Sequence, residues 1–256
     1  MIYFPPLRTA RLDVQLRELT LREAVALAAT PLDRHEAATA ALLDCIVGEA
    51  RGLHREPGRW TVQERMMVVA HYLAATSEGG GNFAIGDGQL LDYLRPSADH
   101  PGDTADAGQA CGDAWVVRQL TGDEAAAMER LCRTEFDWLV ADVAARLRPA
   151  AEDAGTTPDA TDKPAAYADW LTERKAVLEA MPESDFWELR EAYLAGLSKL
   201  HHLFDLAFDA DGHVVLAKTA EDGGAGLAPA RFSVAATITG QSRVLGARAD
   251  RSSGLP

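Results

Sequence analysis

Apolar and polar residues alternate from Arg11 to Leu19, in the order Leu12, Val14, Leu16 and Leu19 against Arg11, Asp13, Gln15 and Glu18. That is the period of a half-buried strand. At Thr20 the period lengthens. Thr20-Leu21-Arg22-Glu23 has the Thr-x-x-Glu spacing of a capping box, in which the threonine oxygen accepts from the first free helix amides and the glutamate reaches back to the cap. A helix to about Ala29 is predicted. Pro31, which lacks the N–H that a first helical turn leaves unpaired, restarts it, and Ala37, Ala41, Leu42, Cys45, Ile46 and Glu49 continue at helical spacing. Thr61 and Glu64 repeat the box ahead of Val62, Met66, Val69, Ala70 and Leu73, up to a break at Gly79-Gly80-Gly81. Thr121 and Glu124 form a third start, with Ala125, Met128, Leu131, Cys132, Leu139, Val143 and Leu147 predicting one long helix closed by Pro149.

Between these runs, residues 95–112 and 149–164 are rich in Pro, Asp, Gly and Ala without apolar periodicity, and read as linkers. Tyr167, Trp170, Leu171, Val177 and Leu178 make a further amphipathic helix that stops at Pro182; Phe186, Leu189, Tyr193, Leu197, Leu200, Leu203 and Phe204 make another. Phe186 and Trp187 are adjacent and cannot face one core together. Asp211-Gly212 between Phe204–Phe208 and His213–Leu216 signals a hairpin. The expected fold is mainly α: a helical domain with a short N-terminal strand and a small C-terminal β-hairpin. Its expected division is a helical region with a glycine-rich loop at 1–95, a linker at 96–113, a long helix at 114–148, a linker at 149–166, a helical pair and hairpin at 167–218, and a largely flexible tail at 219–256 with a strand over Arg231 to Thr239. The pattern is read without an internal repeat.

Charge narrows the partners. Lys and Arg total 25 against 39 Asp and Glu in 256 residues, a formal net charge of -14, which repels phosphate backbones and argues against nucleic acid. Cys45, Cys111 and Cys132 are odd in number and widely spaced, so neither a disulfide framework nor a thiolate metal site is indicated. No run of eighteen apolar residues is present, so no membrane insertion is expected, and the chain reads as a soluble intracellular product.

The search for chemistry returns mismatches. Gly81 to Gly86 has the glycine spacing of a phosphate-binding loop, but Asp87 and Gly88 stand where the lysine and the Ser or Thr belong. Asp209-Ala210-Asp211-Gly212 resembles part of a calcium loop, yet Ala207 falls at the first ligand position and Lys218 where a bidentate glutamate is needed. The seven histidines include no pair spaced to bring two ligands onto one helix face, and no Gly-x-Ser-x-Gly elbow exists. Catalytic, cofactor-binding and metal-binding residues are therefore expected to be none.

The order Leu16-Arg17-Glu18-Leu19-Thr20-Leu21-Arg22-Glu23-Ala24, then Thr61-Val62-Gln63-Glu64-Arg65 with Tyr72-Leu73, then Asp92-Tyr93-Leu94, then Leu120-Thr121-Gly122, resembles tail-assembly and baseplate-associated proteins of tailed bacteriophages over residues 10–150. The resemblance implies a non-enzymatic assembly or structural protein that binds other phage tail or baseplate proteins, in the host cytoplasm during assembly or in the virion tail. Phe83, Tyr93 and Leu94, beside the glycine-rich loop, are the expected partner-binding residues. Two alternatives stand beside it. One is a helical enzyme whose site is assembled in space from His71, Tyr72, His201, His202 and nearby carboxylates; the other is an acidic intracellular adaptor for a basic helix.

Overall fold

The computed structural model describes residues 2–31, 34–52, 54–77, 80–95, 99, 102–152, 154–219, 224, 226–232 and 234. The fold is a mixed α/β structure, 47% helical and 22% strand, with eight helices and four small sheets among the described residues, and this overturns the mainly α expectation. Apart from Leu12–Leu16 and the C-terminal hairpin, the strands are not expected from the sequence, most of them being short or poor in β-branched residues and held by their neighbours rather than by their own propensity.

The first half runs β1 (Leu7–Arg8), β2 (Leu12–Leu16), α1 (Leu21–Ala28), α2 (His35–Ile46) and β3 (Val47–Gly52), the strands forming an antiparallel sheet in the order β1-β2-β3. Where a helix was expected to run on to Glu49, the chain passes from α2 directly into β3. Next come α3 (Val62–Thr76), the two-residue strands β4 (Ala84–Ile85) and β5 (Gly88–Gln89), and the single turn α4 (Leu90–Tyr93). The expected linker at 96–113 carries β6 (Thr104–Ala110), which pairs with β7 (Asp113–Arg118). The expected long helix at 114–148 is instead β7, α5 (Gly122–Leu131), α6 (Glu135–Arg146) and β8 (Leu147–Pro149). A further capping box splits it: Thr134 Oγ1 accepts from Asp137 N, and Asp137 reaches back to Thr134 N. Then α7 (Pro164–Glu179), α8 (Glu183–Leu197) and the hairpin β9 (Asp205–Asp209) and β10 (Gly212–Leu216) follow. Of the expected tail, residues 220–223, 225, 233 and 235–256 lie outside the described residues, including most of the strand expected from Arg231 to Thr239. Ala230 pairs with Val215 in both directions, and Phe232 is buried against Phe204.

The two halves repeat one another. β1-β2-α1-α2-β3 and β6-β7-α5-α6-β8 have the same order and the same sheet arrangement, and each is followed by a helix, α3 or α7, that packs on it. Laid over one another, Leu16–Leu27 and Val117–Met128 are identical at Arg17/Arg118, Leu19/Leu120, Thr20/Thr121, Glu23/Glu124, Ala24/Ala125 and Ala26/Ala127. The matched arginine and glutamate pair in both halves, at 2.7 Å for Arg17 and Glu23 and 2.8 Å for Arg118 and Glu124. Register agrees as well, since Leu16 faces Val47 and Val117 faces Leu147. The chain thus contains an internal duplication, which the reading without a repeat missed because the two copies share helix caps rather than a motif.

The halves meet where α3 and α5 begin. Thr61 and Thr121 bridge antiparallel, Val62 N donating to Leu120 O and Gly122 N to Trp60 O. Arg65, one turn into α3, is buried against this junction. A Cβ at Gly122 would lie 2.2 Å from its Nη1. His202 closes the junction from the side, with Nε2 3.1 Å from Thr61 Oγ1 and Nδ1 3.4 Å from Gln119 Nε2. Burial holds the His202 pKa below its usual value.

Two outcomes follow. Gly122→Ala should cost about 1–3 kcal/mol in urea unfolding because buried Arg65 has nowhere to move, whereas Gly81→Ala, with no atom within 4 Å of the added carbon, should stay within about 0.5 kcal/mol. Because His202 takes up a proton more readily unfolded than folded, its contribution is full above the ordinary histidine value and is lost as pH falls from there through the lower folded value. His202→Asn should therefore flatten the decline in stability below the ordinary value of 6.5. An unchanged slope would remove His202 as its source.

Candidate functional site

α8 crosses the face of β6 and β7, and the hairpin β9-β10 packs beside α6. Neither belongs to the duplicated unit, and between them, α8 and α6 they leave a groove of about 690 Å³. Its walls are largely apolar: Phe136 and Leu139 from α6, Leu194 and Leu197 from α8, and Leu206, Phe208 and Leu216 from the hairpin. Phe136 and Leu194, 58% and 42% exposed, stand partly in water on facing walls of this apolar groove.

Charge underlies this apolar lining. Asp142 and Arg146, one turn apart on α6, are buried at 3.7 Å from one another. Tyr193 on α8 donates its phenol proton to Asp142 Oδ2, and Arg146 donates to Tyr193 Oη at 3.3 Å and to Arg118 O at 3.0 Å. Burial pushes the Tyr193 phenol far up, against the opposing charge of Arg146 and with the Asp142 carboxylate adding to it, so it stays a donor. Asp142 Oδ1 and Arg146 Nη2 have no partner. On the duplicated scaffold these two positions correspond to Leu42 and Ile46 of α2, since α2 and α6 are of equal length and each runs straight into its strand. Leu42 and Ile46 are both fully buried core residues. The same scaffold is therefore built elsewhere in this chain with two aliphatic side chains, and a buried ion pair is commonly no more stable than such a replacement. Packing alone does not call for Asp142 and Arg146.

Two imidazoles line the groove. His213 Nδ1 lies 3.0 Å from Glu36 Oε1, and His201 Nδ1 lies 2.8 Å from Asp205 Oδ1. The Nε2 atoms of both are buried and have no hydrogen-bond partner. Burial by itself would raise the Glu36 carboxyl, but the His213 hydrogen bond and the charges of His213, Arg65 and Arg231 hold it below its usual range. Arg190 of α8 also lines the groove. Its guanidinium lies 5.3 Å from the Trp187 ring centroid, and no carboxylate lies within ion-pair distance of it among the described residues.

The residues singled out from sequence fall elsewhere. Phe83, Tyr93 and Leu94 are all buried; Phe83 meets Phe232 edge-on and Tyr93 Oη donates to Ala228 O at 3.1 Å. Of the enzyme set, His71 Nε2 sits 2.7 Å from Pro5 O, Tyr72 stacks on Phe4, His202 is at the half-to-half junction, and only His201 reaches the groove. Trp187 is the exposed member of the Phe186-Trp187 pair. Among the described residues no group of three or more His, Cys, Asp or Glu is arranged to hold a metal ion, and no helix is long and apolar enough to cross a membrane. Sequence reading missed Asp142, Arg146, Tyr193 and Arg190 as a group; the signal was present in the repeat, where polar residues replace Leu42 and Ile46.

Arg146→Ile alone should cost about 3–5 kcal/mol, since Asp142 is left buried and uncompensated. The triple variant Asp142→Leu, Arg146→Ile, Tyr193→Phe should unfold within about 1 kcal/mol of the parent or above it; a loss as large as that of the single variant would make the trio structural. Compared with protein-family models, with characterised proteins and with solved structures, the chain matches none of them.

Proposed function

We propose that this chain is a binding protein, without catalytic activity, whose groove between α6, α8 and the β9-β10 hairpin receives a small, mostly apolar guest. The observation that carries this is the groove itself: about 690 Å³ of open, apolar-walled space with Phe136 and Leu194 left partly in water. Its size falls in the range of small-molecule sites, which are typically apolar with a few convergent polar groups. A binding role rather than a catalytic one is supported by the lining, which is mostly apolar, and by its two histidines, each held at Nδ1 by a carboxylate, His201 by Asp205 and His213 by Glu36.

A second reading rests on the resemblance to phage tail-assembly proteins and on α1, which lies in the first resembling segment. Leu21 and Val25, one turn apart on α1, are 76% and 64% exposed, and apolar pairs of this kind serve as docking points for a helix-binding partner. On this reading the partner is a tail or baseplate component, and co-purification of such proteins that is lost in Leu21→Ser, Val25→Ser would support it.

The test of the first reading is fluorescence titration with N-phenyl-1-naphthylamine, a neutral apolar probe. Saturable enhancement at one site, weakened about tenfold by Leu194→Gln with unfolding unchanged, is expected from loss of a partly buried leucine contact. Absence of saturable binding would sink the reading.

A further inference from the structure

Resting on the groove's being a binding site, we propose that its guest is an amphipathic monocarboxylate, an apolar tail carrying one carboxylate, with the head taken by Arg190. The chain carries a net charge of -14, so an anionic guest has to find a locally positive point. Among the charged residues lining the groove, the acids are Glu135 and Asp142 and the cations are Arg146 and Arg190. Asp142 is already engaged by Arg146 and by the Tyr193 phenol, which leaves that trio neutral as a unit. His201 is tied to Asp205, and His213 to Glu36. Glu135 stands exposed in the first turn of α6.

Arg190 differs from all of these. It is half-buried, lies over the Trp187 ring at 5.3 Å, and has neither a carboxylate nor a hydrogen-bond acceptor among the described residues. A guanidinium over an aromatic ring face, paired with no acid, keeps donors for a ligand, and a guanidinium edge matches a carboxylate in two parallel hydrogen bonds. One free guanidinium suits one negative charge. A dianionic phosphate would carry a second charge that nothing in the groove neutralises.

The arrangement also accounts for the polar trio beneath an apolar groove. Leu42 and Ile46 at the corresponding positions of the first half would give a floor indifferent to the guest's head group. Asp142, Arg146 and Tyr193 instead supply a fixed, oriented set of dipoles, and a head that satisfies Arg190 lies in their field.

The experiment is displacement of N-phenyl-1-naphthylamine from the intact protein by decanoate, decanol, decanamide, decylamine and decyl phosphate, which share a tail and differ in the head. Decanoate is expected to displace at about one tenth or less of the concentration needed for each of the others, the size of one charge-assisted hydrogen-bond pair. Arg190→Gln should remove this advantage, bringing the displacing concentrations of decanoate and decanol, measured side by side in that variant, to within about twofold of one another. If the probe binds but decanol, decanamide or decylamine competes as well as decanoate, the carboxylate assignment is overturned and the binding reading stands. Preference for decyl phosphate overturns it in favour of a dianion. Failure of the probe to bind at all overturns both. Should Arg190→Gln not fold, Arg190→Lys, which keeps the charge but not the planar edge, is expected to retain only part of the decanoate preference, and full retention would count against two-bond recognition.

Discussion

The side chain on which the assembly of the halves depends is Arg65. It is 1% exposed in the centre of the molecule, and its guanidinium is the meeting point of three helices. On one side it approaches Glu36 of α2, at 3.5 Å from Oε2 and 3.3 Å from the backbone oxygen. On the other it fills the space beside Gly122, the first residue of α5. Glu36 is in turn held by His213 of β10, while Glu129 of α5 accepts from Glu36 N and Ala37 N and so satisfies the open amides at the start of α2. Burial disfavours the Arg65 charge, and the neighbouring carboxylates Glu36, Asp123, Asp44 and Glu129 oppose that effect. An isolated charge in this position would be prohibitive, so the first half, the second half and the hairpin have to arrive together. That requirement fixes how two copies of one unit are set against each other.

Duplication explains both what is regular in the fold and where it departs from regularity. Each unit needs a helix to cover it, and α3 and α7 do this in turn. α3 goes further than an amphipathic surface helix, since Gln63, Glu64 and Arg65 are buried along with its apolar residues; it is enclosed between the halves. The second unit then carries α8 and the hairpin, which have no counterpart in the first. α8 packs on the sheet and forms a smaller core with Val117, Val143, Leu147, Leu189 and Tyr193. The groove is the space left where this addition meets α6. The groove is joined to the Arg65 cluster through His213, which lines the groove and contacts Glu36.

How much of this the sequence discloses depends on the range of the interaction. Helix starts are legible because a capping box is complete within four residues: Thr20, Thr61 and Thr121 each lie where the pattern places them. The hairpin at Asp211-Gly212 is legible for the same reason, and Gly212 has φ of 123°, a value that favours glycine. The strands are not. Thr104–Ala110 contains no β-branched residue except Thr104 and pairs only because β7 supplies the ladder; Val47–Gly52 continues the helical text of α2 yet is drawn into register with β2. The break between α5 and α6 is a local signal at Thr134 and Asp137 that the longer apolar period masks. At Phe83 and Tyr93 the range is long: apolar side chains beside the glycine-rich loop are covered here by residues between 227 and 232, far along the chain.

The groove residues pose a different problem, because no local rule marks them. Asp142 and Arg146 at a spacing of four read as an ordinary helix pair, the kind that on a surface contributes little. Only their burial, and the aliphatic residues at the same positions of the other copy, show that the pair has displaced something better suited to packing. A duplicated chain carries its own control: where both copies keep Arg and Glu beside a Thr cap, the cap geometry accounts for them, as with Arg17 and Glu23 or Arg118 and Glu124. Where one copy keeps two aliphatics and the other installs Asp142 and Arg146, bridged by Tyr193, under an open apolar groove, packing does not account for the difference, and the proposed guest of that groove is what the buried pair would serve.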